Sequence, residues 1–265
     1  AVLRKPHLYD MHSSLPQQLT NFDFTGSALA RGVFRWFEKL MIRRSRVVIV
    51  ICPALEDTVR QTEPGAQVVL IENAPGSAEA PATQSDADAV RASHGLHPDT
   101  PLVLYTGTFE AYQGLDLLFA AMAHVKQARP DARLLLAGGK PEQVSRAREQ
   151  AQADGLGDGT VFAGERPAGE IPAYLRACDV LVSPRSRGTN TPLKIYQYLR
   201  SGRPIVATRL LTHTQVLDDE TAILTGATPR EFADGVITAM REPDRAARIG
   251  DAARRGHGGS LQNGR

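Results

Sequence analysis

The sequence predicts an α/β protein built on doubly wound parallel sheets. Two observations predict it. Short, nearly continuous apolar runs recur along the chain, as strands buried on both faces require. Helical patterns separate those runs at the spacing of right-handed βαβ units. The runs come in order as the "PHLYD" segment, Arg46–Ile51, Gln67–Ile71, Pro101–Gly107, Ala132–Gly138, Thr160–Gly164, Asp179–Pro184, Arg203–Thr208 and Thr221–Thr225. Helical patterns cover Leu115–Ala128, Glu142–Ala153, Gly169–Ala177, Pro192–Arg200 and Pro229–Arg241.

A stretch rich in Pro, Ala, Ser and Gly at Glu72–Asp88 reads as a linker. The organisation it implies is a partial first lobe over 1–73, a linker and lead-in helix over 74–92, and a second lobe over 93–265. With about three strand candidates, the first lobe would leave a naked sheet edge. The chain therefore reads as a fragment whose missing strands lie upstream. Its end, "RRGHGGSLQNGR", has no periodicity and is expected to fray.

Composition narrows the class. With 42% apolar and 23% charged residues, the chain is an ordinary soluble globular one, and its net charge of +2 does not suggest nucleic acid. Cys52 and Cys178 sit in apolar surroundings and read as buried free thiols, which favours a reducing compartment. No zinc spacing is visible, no apolar run reaches the ~18–20 residues of a membrane span, and the start lacks the apolar core of a signal peptide.

Ligands of open α/β sheets bind beyond the carboxyl ends of the strands. The loops there carry Gly107, Gly138, Gly139, Gly164 and Gly188, with Lys140, Arg166, Arg185, Arg187 and Lys194. Glycine lets backbone approach a ligand, and the basic groups suit phosphate. In "RGTNTPLK", Thr191 is expected as N-cap and Pro192 as the first helical residue. The helix start and Lys194 would together hold an anion. A plain cap accounts for Thr191 and Pro192, but not for Asn190, Lys194 and Arg185 as well.

Residues Arg31–Arg46 ("RGVFRWFEKLMIRRSR") place Val33, Trp36, Phe37, Leu40 and Met41 on one stripe and Arg31, Arg35, Lys39 and Arg43 on another. Two readings stand: a core helix with a solvated outer face, or a helix resting on an anionic membrane. His12 follows the first short strand and is either an acceptor-side catalytic residue or a local cap with Ser13 and Ser14. His213 could reach the crevice from "RPIVAT", although a local cap explains it as well.

The motifs "YTGTFEAYQGLDLLFAAM", "RLLLAGG", "VFAGERPAGEIPAYLRACDVLVSP" and "NTPLKIYQYLRSGRPIVAT" resemble the nucleotide-binding lobe of glycosyltransferases of the GT-B fold, family 4. "YDMHSSLPQQL" is similar to a late segment of their acceptor lobe. The resemblance implies a Rossmann-like second lobe with an incomplete first one. It also implies sugar transfer from a nucleotide-sugar donor to a glycan, lipid-linked or small-molecule acceptor, with retention. No cofactor or metal is implied, since basic groups and a helix start would hold the diphosphate.

The donor residues carried over are Gly107, Thr108, Gln113, Gly138, Arg166, Arg185, Thr189, Asn190, Thr191, Pro192, Leu193, Lys194 and Gln197, with His12 as the catalytic candidate. The implied setting is cytoplasmic, with a peripheral site at the inner membrane face. Two departures stand out. The family's usual glutamate pair is replaced by Thr189 and Gln197, and its usual loop lysine by Gln113. These keep alive the alternative of an inactive or truncated nucleotide-sugar-binding module. A nucleotide-sugar epimerase of the same fold would need carboxylates near the sugar, and only Glu110 and Glu165 offer themselves. A dinucleotide-linked oxidoreductase would need a G-x-G-x-x-G loop after a strand, which is missing.

Overall fold

A computed structural model describes residues 6–16, 28–72, 81–188 and 190–260. The chain divides into two compact units, Ala1–Ala74 with Arg187–Thr191, and Pro75–Ser186 with Pro192–Arg265.

The first unit holds a three-stranded parallel sheet, ordered β1 (Leu8–Met11), β2 (Val47–Val50), β3 (Val68–Leu70). Helix α1 spans Ala28–Arg44 and α2 spans Pro53–Thr62. The core is small: Met11, Ile42, Val48, Val50, Leu55 and Val59. Helix α2 was not legible as a run, although Pro53 opens it and Leu55 and Val59 repeat at i, i+4.

Helix α1 presents an unexpected face to this core. Its buried residues are Glu38 and Ile42. Glu38 accepts from Ser14 Oγ (3.2 Å) and from the backbone N–H of Leu15 (2.7 Å), which satisfies the buried carboxylate. The stripe of Val33, Trp36 and Phe37 is exposed instead, together with Leu29. The reading of a core helix with a solvated polar face therefore fails for these residues.

The second unit is a six-stranded parallel sheet. Its strands are β4 (Leu102–Thr106), β5 (Arg133–Ala137), β6 (Thr160–Gly164), β7 (Val180–Ser183), β8 (Ile205–Thr208) and β9 (Ile223–Thr225). They lie in the order β6-β5-β4-β7-β8-β9, all parallel, the doubly wound order in which the direction of strand addition reverses between β4 and β7. Strand interiors such as Leu102–Tyr105 and Leu134–Leu136 are buried, as a sheet covered on both faces requires.

One face packs on α3 (Gln84–Ser93), α6 (Ile171–Ala177) and α7 (Leu193–Ser201). The other packs on α4 (Leu115–Ala128), α5 (Pro141–Ala153) and α9 (Pro229–Arg241). A single turn, α8 (Leu211–Thr214), follows β8. Helix α3, read from sequence as the lead-in, has a full capping box at Thr83 and Asp86.

The chain end corrects the sequence reading. No helix was read beyond Arg241, yet α10 spans Pro243–Ser260 and takes in residues 254–260 of the end expected to fray; residues 261–265 lie outside the described residues. Of its buried residues Ala246, Ile249 and Ala253 only Ile249 is large, so the apolar signal is weak. Gly250 carries the packing: a Cβ there would run into the carbonyl oxygen of Gly202, which ends α7.

Candidate functional site

The reversal between β4 and β7 opens the carboxyl edge of the second sheet, and the loops there are stitched together by backbone. The N–H of Gly107 donates to Ala137 O (3.0 Å) and that of Gly138 to Gly164 O (2.7 Å). Gly107 and Gly138 both have positive φ, 127° and 132°. A Cβ on Gly138 would strike the carbonyl of Gly107, so glycine is required there on steric as well as conformational grounds. Across the reversal, Ser186 N donates to Tyr112 O (3.2 Å), and Gly114 abuts the carbonyl of Pro184.

Lys194 sits under these loops. It is 8% exposed, and its Nζ has no hydrogen-bond partner among the described residues. The ammonium lies 3.8 Å from the centroid of the Tyr105 ring, a cation–π contact. Tyr105 is itself fixed by its hydroxyl, which donates to Thr108 O (2.6 Å). Burial, and then the charge of Arg185, hold the Lys194 pKa well below that of an ordinary lysine.

Arg185 stacks over Tyr112 with its guanidinium carbon 5.0 Å from the ring centroid, and Nη1 donates to Thr212 Oγ1 (2.7 Å). Burial lowers its pKa too. Two cationic side chains thus converge at one switch point. A buried cation short of partners is stabilised by an anion that reaches it.

Gln113 is buried on the loop after β4. Its Nε2 donates to Thr108 Oγ1 (3.3 Å), and its Oε1 has no partner among the described residues. Arg166 lies on the loop after β6, 3.9 Å from Glu170.

The start of α7 differs from expectation. Pro192 is the N-cap, with ψ 133°, and the first helical residue is Leu193, which is mostly exposed. Thr191 does not cap the helix, and among the described residues no side chain does. Extended backbone at Pro192 moves the boundary one residue on and leaves the helix start without a capping oxygen. Thr191 is buried, its Oγ1 without a partner among the described residues. Thr189 lies outside the described residues. Gln197, one turn beyond Lys194, lines a separate cavity among α6, α7 and α10.

In the first unit, His12 follows β1, and its Nε2 lies 3.1 Å from Asp10 Oδ2 with both side chains 61% exposed. The amide of Asn190 donates to the carbonyl of His12 (2.6 Å).

His213 is not a crevice residue. It is wholly buried, with Nε2 2.8 Å from Ser183 Oγ and Nδ1 2.8 Å from Thr208 O. A carbonyl can only accept, so Nδ1 carries the proton and Nε2 accepts from the serine. That spacing is found in nucleophile–base pairs, but both groups are shut away from any substrate. The histidine ties β7, β8 and α8 together, and burial brings its pKa down to about 3. Sequence reasoning also missed the Tyr105 ring beneath Lys194. Its only signal was an aromatic one residue before the end of a glycine-terminated strand.

A family model described as "Glycosyl transferases group 1" matches residues 86–256. The chain belongs to this family. The expected resemblance to family 4 glycosyltransferases of the GT-B fold is thereby borne out. Among curated relatives, the chain is 27% identical to a D-inositol 3-phosphate glycosyltransferase of Segniliparus rotundus, over 63% of this chain and 38% of that one. It is 29% identical to the GDP-mannose-dependent alpha-(1-6)-phosphatidylinositol monomannoside mannosyltransferase of Mycolicibacterium smegmatis, over 69% of this chain and 50% of that one. Among solved structures, Anabaena HepE in complex with UDP and glucose superposes with a TM-score of 0.81 at 20% identity, over 97% of this chain and 68% of that one. At that identity the likeness speaks for the fold. The chain spans about 38–50% of the length of these two curated relatives.

Proposed function

We propose that this chain carries the donor site of a retaining, metal-independent glycosyltransferase, which moves a sugar from a nucleotide-sugar to a glycan, lipid-linked or small-molecule acceptor. One observation carries the reading: a buried lysine with an unpartnered ammonium, at the switch point of a doubly wound sheet and in the first turn of an uncapped helix. Lys194 and Arg185 would balance the donor diphosphate, aided by the N–H groups that open α7. Charge develops on the departing diphosphate during transfer, so the chemistry asks for leaving-group stabilisation more than for a strong base. Gly107 and Gly138 would let backbone approach the nucleotide, with Thr108, Gln113, Arg166 and Leu193 around it. His12 is the acceptor-side residue in this reading.

The proposed setting is cytoplasmic and peripheral to an anionic membrane. No helix among the described residues is long and apolar enough to cross a membrane. Exposed Leu29, Val33, Trp36 and Phe37 share α1 with Arg31, Arg35 and Lys39, which suits insertion at a lipid headgroup layer. Sedimentation with phosphatidylglycerol vesicles, against Trp36→Ser with Phe37→Ser, tests this part separately.

The donor reading is tested by thermal-shift titration with UDP, GDP, ADP and their sugars, repeated on Lys194→Ala. A ligand that binds only the folded state raises the melting temperature. A rise with one nucleotide that disappears in the variant supports the donor site and identifies the base. No rise with any nucleotide sinks the reading and leaves an inactive remnant.

A further inference from the structure

The second unit has a partly open cavity of about 520 Å³ lined by α6, α7, α10 and the segment at Pro81. That size suits a small organic ligand. Its wall has two characters. Ile171, Pro172 and Leu175 supply an apolar side, and Arg176, Arg200, Arg203 and Arg254 a cationic one. Among the described residues, none that lines it is acidic.

Its cationic side lies away from the switch point. Arg176 ends α6 just before β7, and Arg203 stands just before β8, which sets both at the amino edge of the sheet. Lys194, Gly107 and Gly138 belong to the carboxyl edge.

Four arginines so close repel one another. Arg254 pairs with Asp251 (2.9 Å), and Arg203 donates to the carbonyl of Arg176. Ser201 Oγ donates to the carbonyl of Tyr198 (2.6 Å). One carbonyl at each of these helix ends, that of Arg176 and that of Tyr198, is thus met by a donor, which offsets part of the negative potential of a helix C-terminus. Forked guanidinium donors match the oxygens of a phosphate group two at a time.

We infer that this cavity is a second ligand site, for an organic phosphate or diphosphate that carries an apolar group. The phosphate lies among the arginines and the apolar part against Ile171, Pro172 and Leu175. The site is independent of the donor reading, since it shares neither Lys194 nor the glycine loops.

Calorimetric titration with geranyl diphosphate and with inorganic pyrophosphate tests it, on the natural chain, on Arg200→Gln with Arg254→Gln, and on Lys194→Met. The two substituted arginines are exposed, so folding is retained, and a melting curve checks it. Geranyl diphosphate should bind at least about tenfold more tightly than pyrophosphate, through the apolar wall. It should weaken by about tenfold or more in the arginine variant and by less than about threefold in Lys194→Met. Vesicles containing phosphatidic acid form a second arm. Arginine-dependent binding to them assigns the site to a lipid headgroup, and binding of geranyl diphosphate alone assigns it to a free ester. The proposal is overturned if geranyl diphosphate does not bind, if the arginine variant binds it as well as the natural chain, or if Lys194→Met abolishes binding.

Discussion

Arg91 and Lys194 are both 8% exposed cations of the second unit, yet their surroundings are opposite. Arg91 has an acceptor for every direction of its guanidinium. Nε donates to Ala177 O (2.8 Å), Nη1 to His97 O (3.1 Å) and Thr100 O (2.8 Å), and Nη2 to Asp179 Oδ2 (3.1 Å). Asp179 in turn accepts from Leu102 N (2.8 Å). Lys194 has an aromatic face, a neighbouring cation and no hydrogen bond. Burial alone therefore does not mark a functional cation. Arg91 is complete within the fold and holds α3 to the start of the sheet, whereas Lys194 Nζ has no hydrogen-bond partner among the described residues. On the proposed reading a donor diphosphate would supply it.

The largest effect should come from the complete one. Arg91→Ala takes the guanidinium donors from Ala177 O and Thr100 O, one of two donors from His97 O, and half of the Asp179 network, and we expect a loss of about 2–4 kcal/mol in urea unfolding. The estimate sits at the modest end because Asp179 is half exposed. Lys194→Met keeps the volume and removes the unpartnered charge, so its stability should equal or exceed that of the natural chain. If Lys194→Met lost as much as Arg91→Ala, the contrast between the two sites would be gone.

Ligand binding should reverse that order. Loss of a charge-assisted contact in Lys194→Met should weaken nucleotide diphosphate binding by about 1.5–3 kcal/mol, while Arg91→Lys leaves it unchanged. Proton traffic sharpens the test. The Lys194 pKa is depressed in the free protein, and a bound diphosphate must raise it. Between those two values binding takes up a proton, so affinity falls as pH rises through the window. Calorimetry in buffers of different ionisation enthalpy reads that uptake, and it should vanish in Lys194→Met.

The contrast also explains what was legible. Each apolar run became a strand, and in β4, β5, β7 and β8 burial on both faces leaves the mark that local composition carries. The carboxyl-edge glycines and basic residues were legible for the same reason, since loop position follows from strand order. The sequence did not tell Arg91 from Lys194, because partners such as Ala177 O and Thr100 O are distant backbone with no sequence signature. Pro192 was misplaced by one residue because its ψ, not its ring, decides where the helix begins. The outward apolar stripe of α1 misled because periodicity fixes a face without saying what covers it.

His213 gives a smaller and differently signed test of a buried nitrogen base. Its folded pKa of about 3 lies below the ~6.5 of an unfolded histidine, so the unfolded chain binds the extra proton between those values. Stability from this group is complete above pH ~6.5 and declines as pH falls toward 3. Between pH 6.5 and 5 the loss should be about 1.5–2 kcal/mol. Denaturant midpoints of the natural chain and His213→Gln at both pH values check it, and the variant should show a shallower dependence. An equal slope in both would mean that carboxylates, not this histidine, dominate the acid limb.

The smallest effect is expected at Gln113, which is Lys194 in miniature: a buried polar group with one atom left over. Gln113→Leu removes a weak 3.3 Å bond to Thr108 together with the unpartnered Oε1. These changes oppose each other, so stability should move by less than about 1 kcal/mol. If Oε1 faces a donor hydroxyl, nucleotide-sugar binding weakens by about 0.5–1.5 kcal/mol with stability unchanged. A loss of stability with no loss of affinity would place Gln113 with Arg91, as a residue whose unpartnered atom serves the loop rather than a ligand.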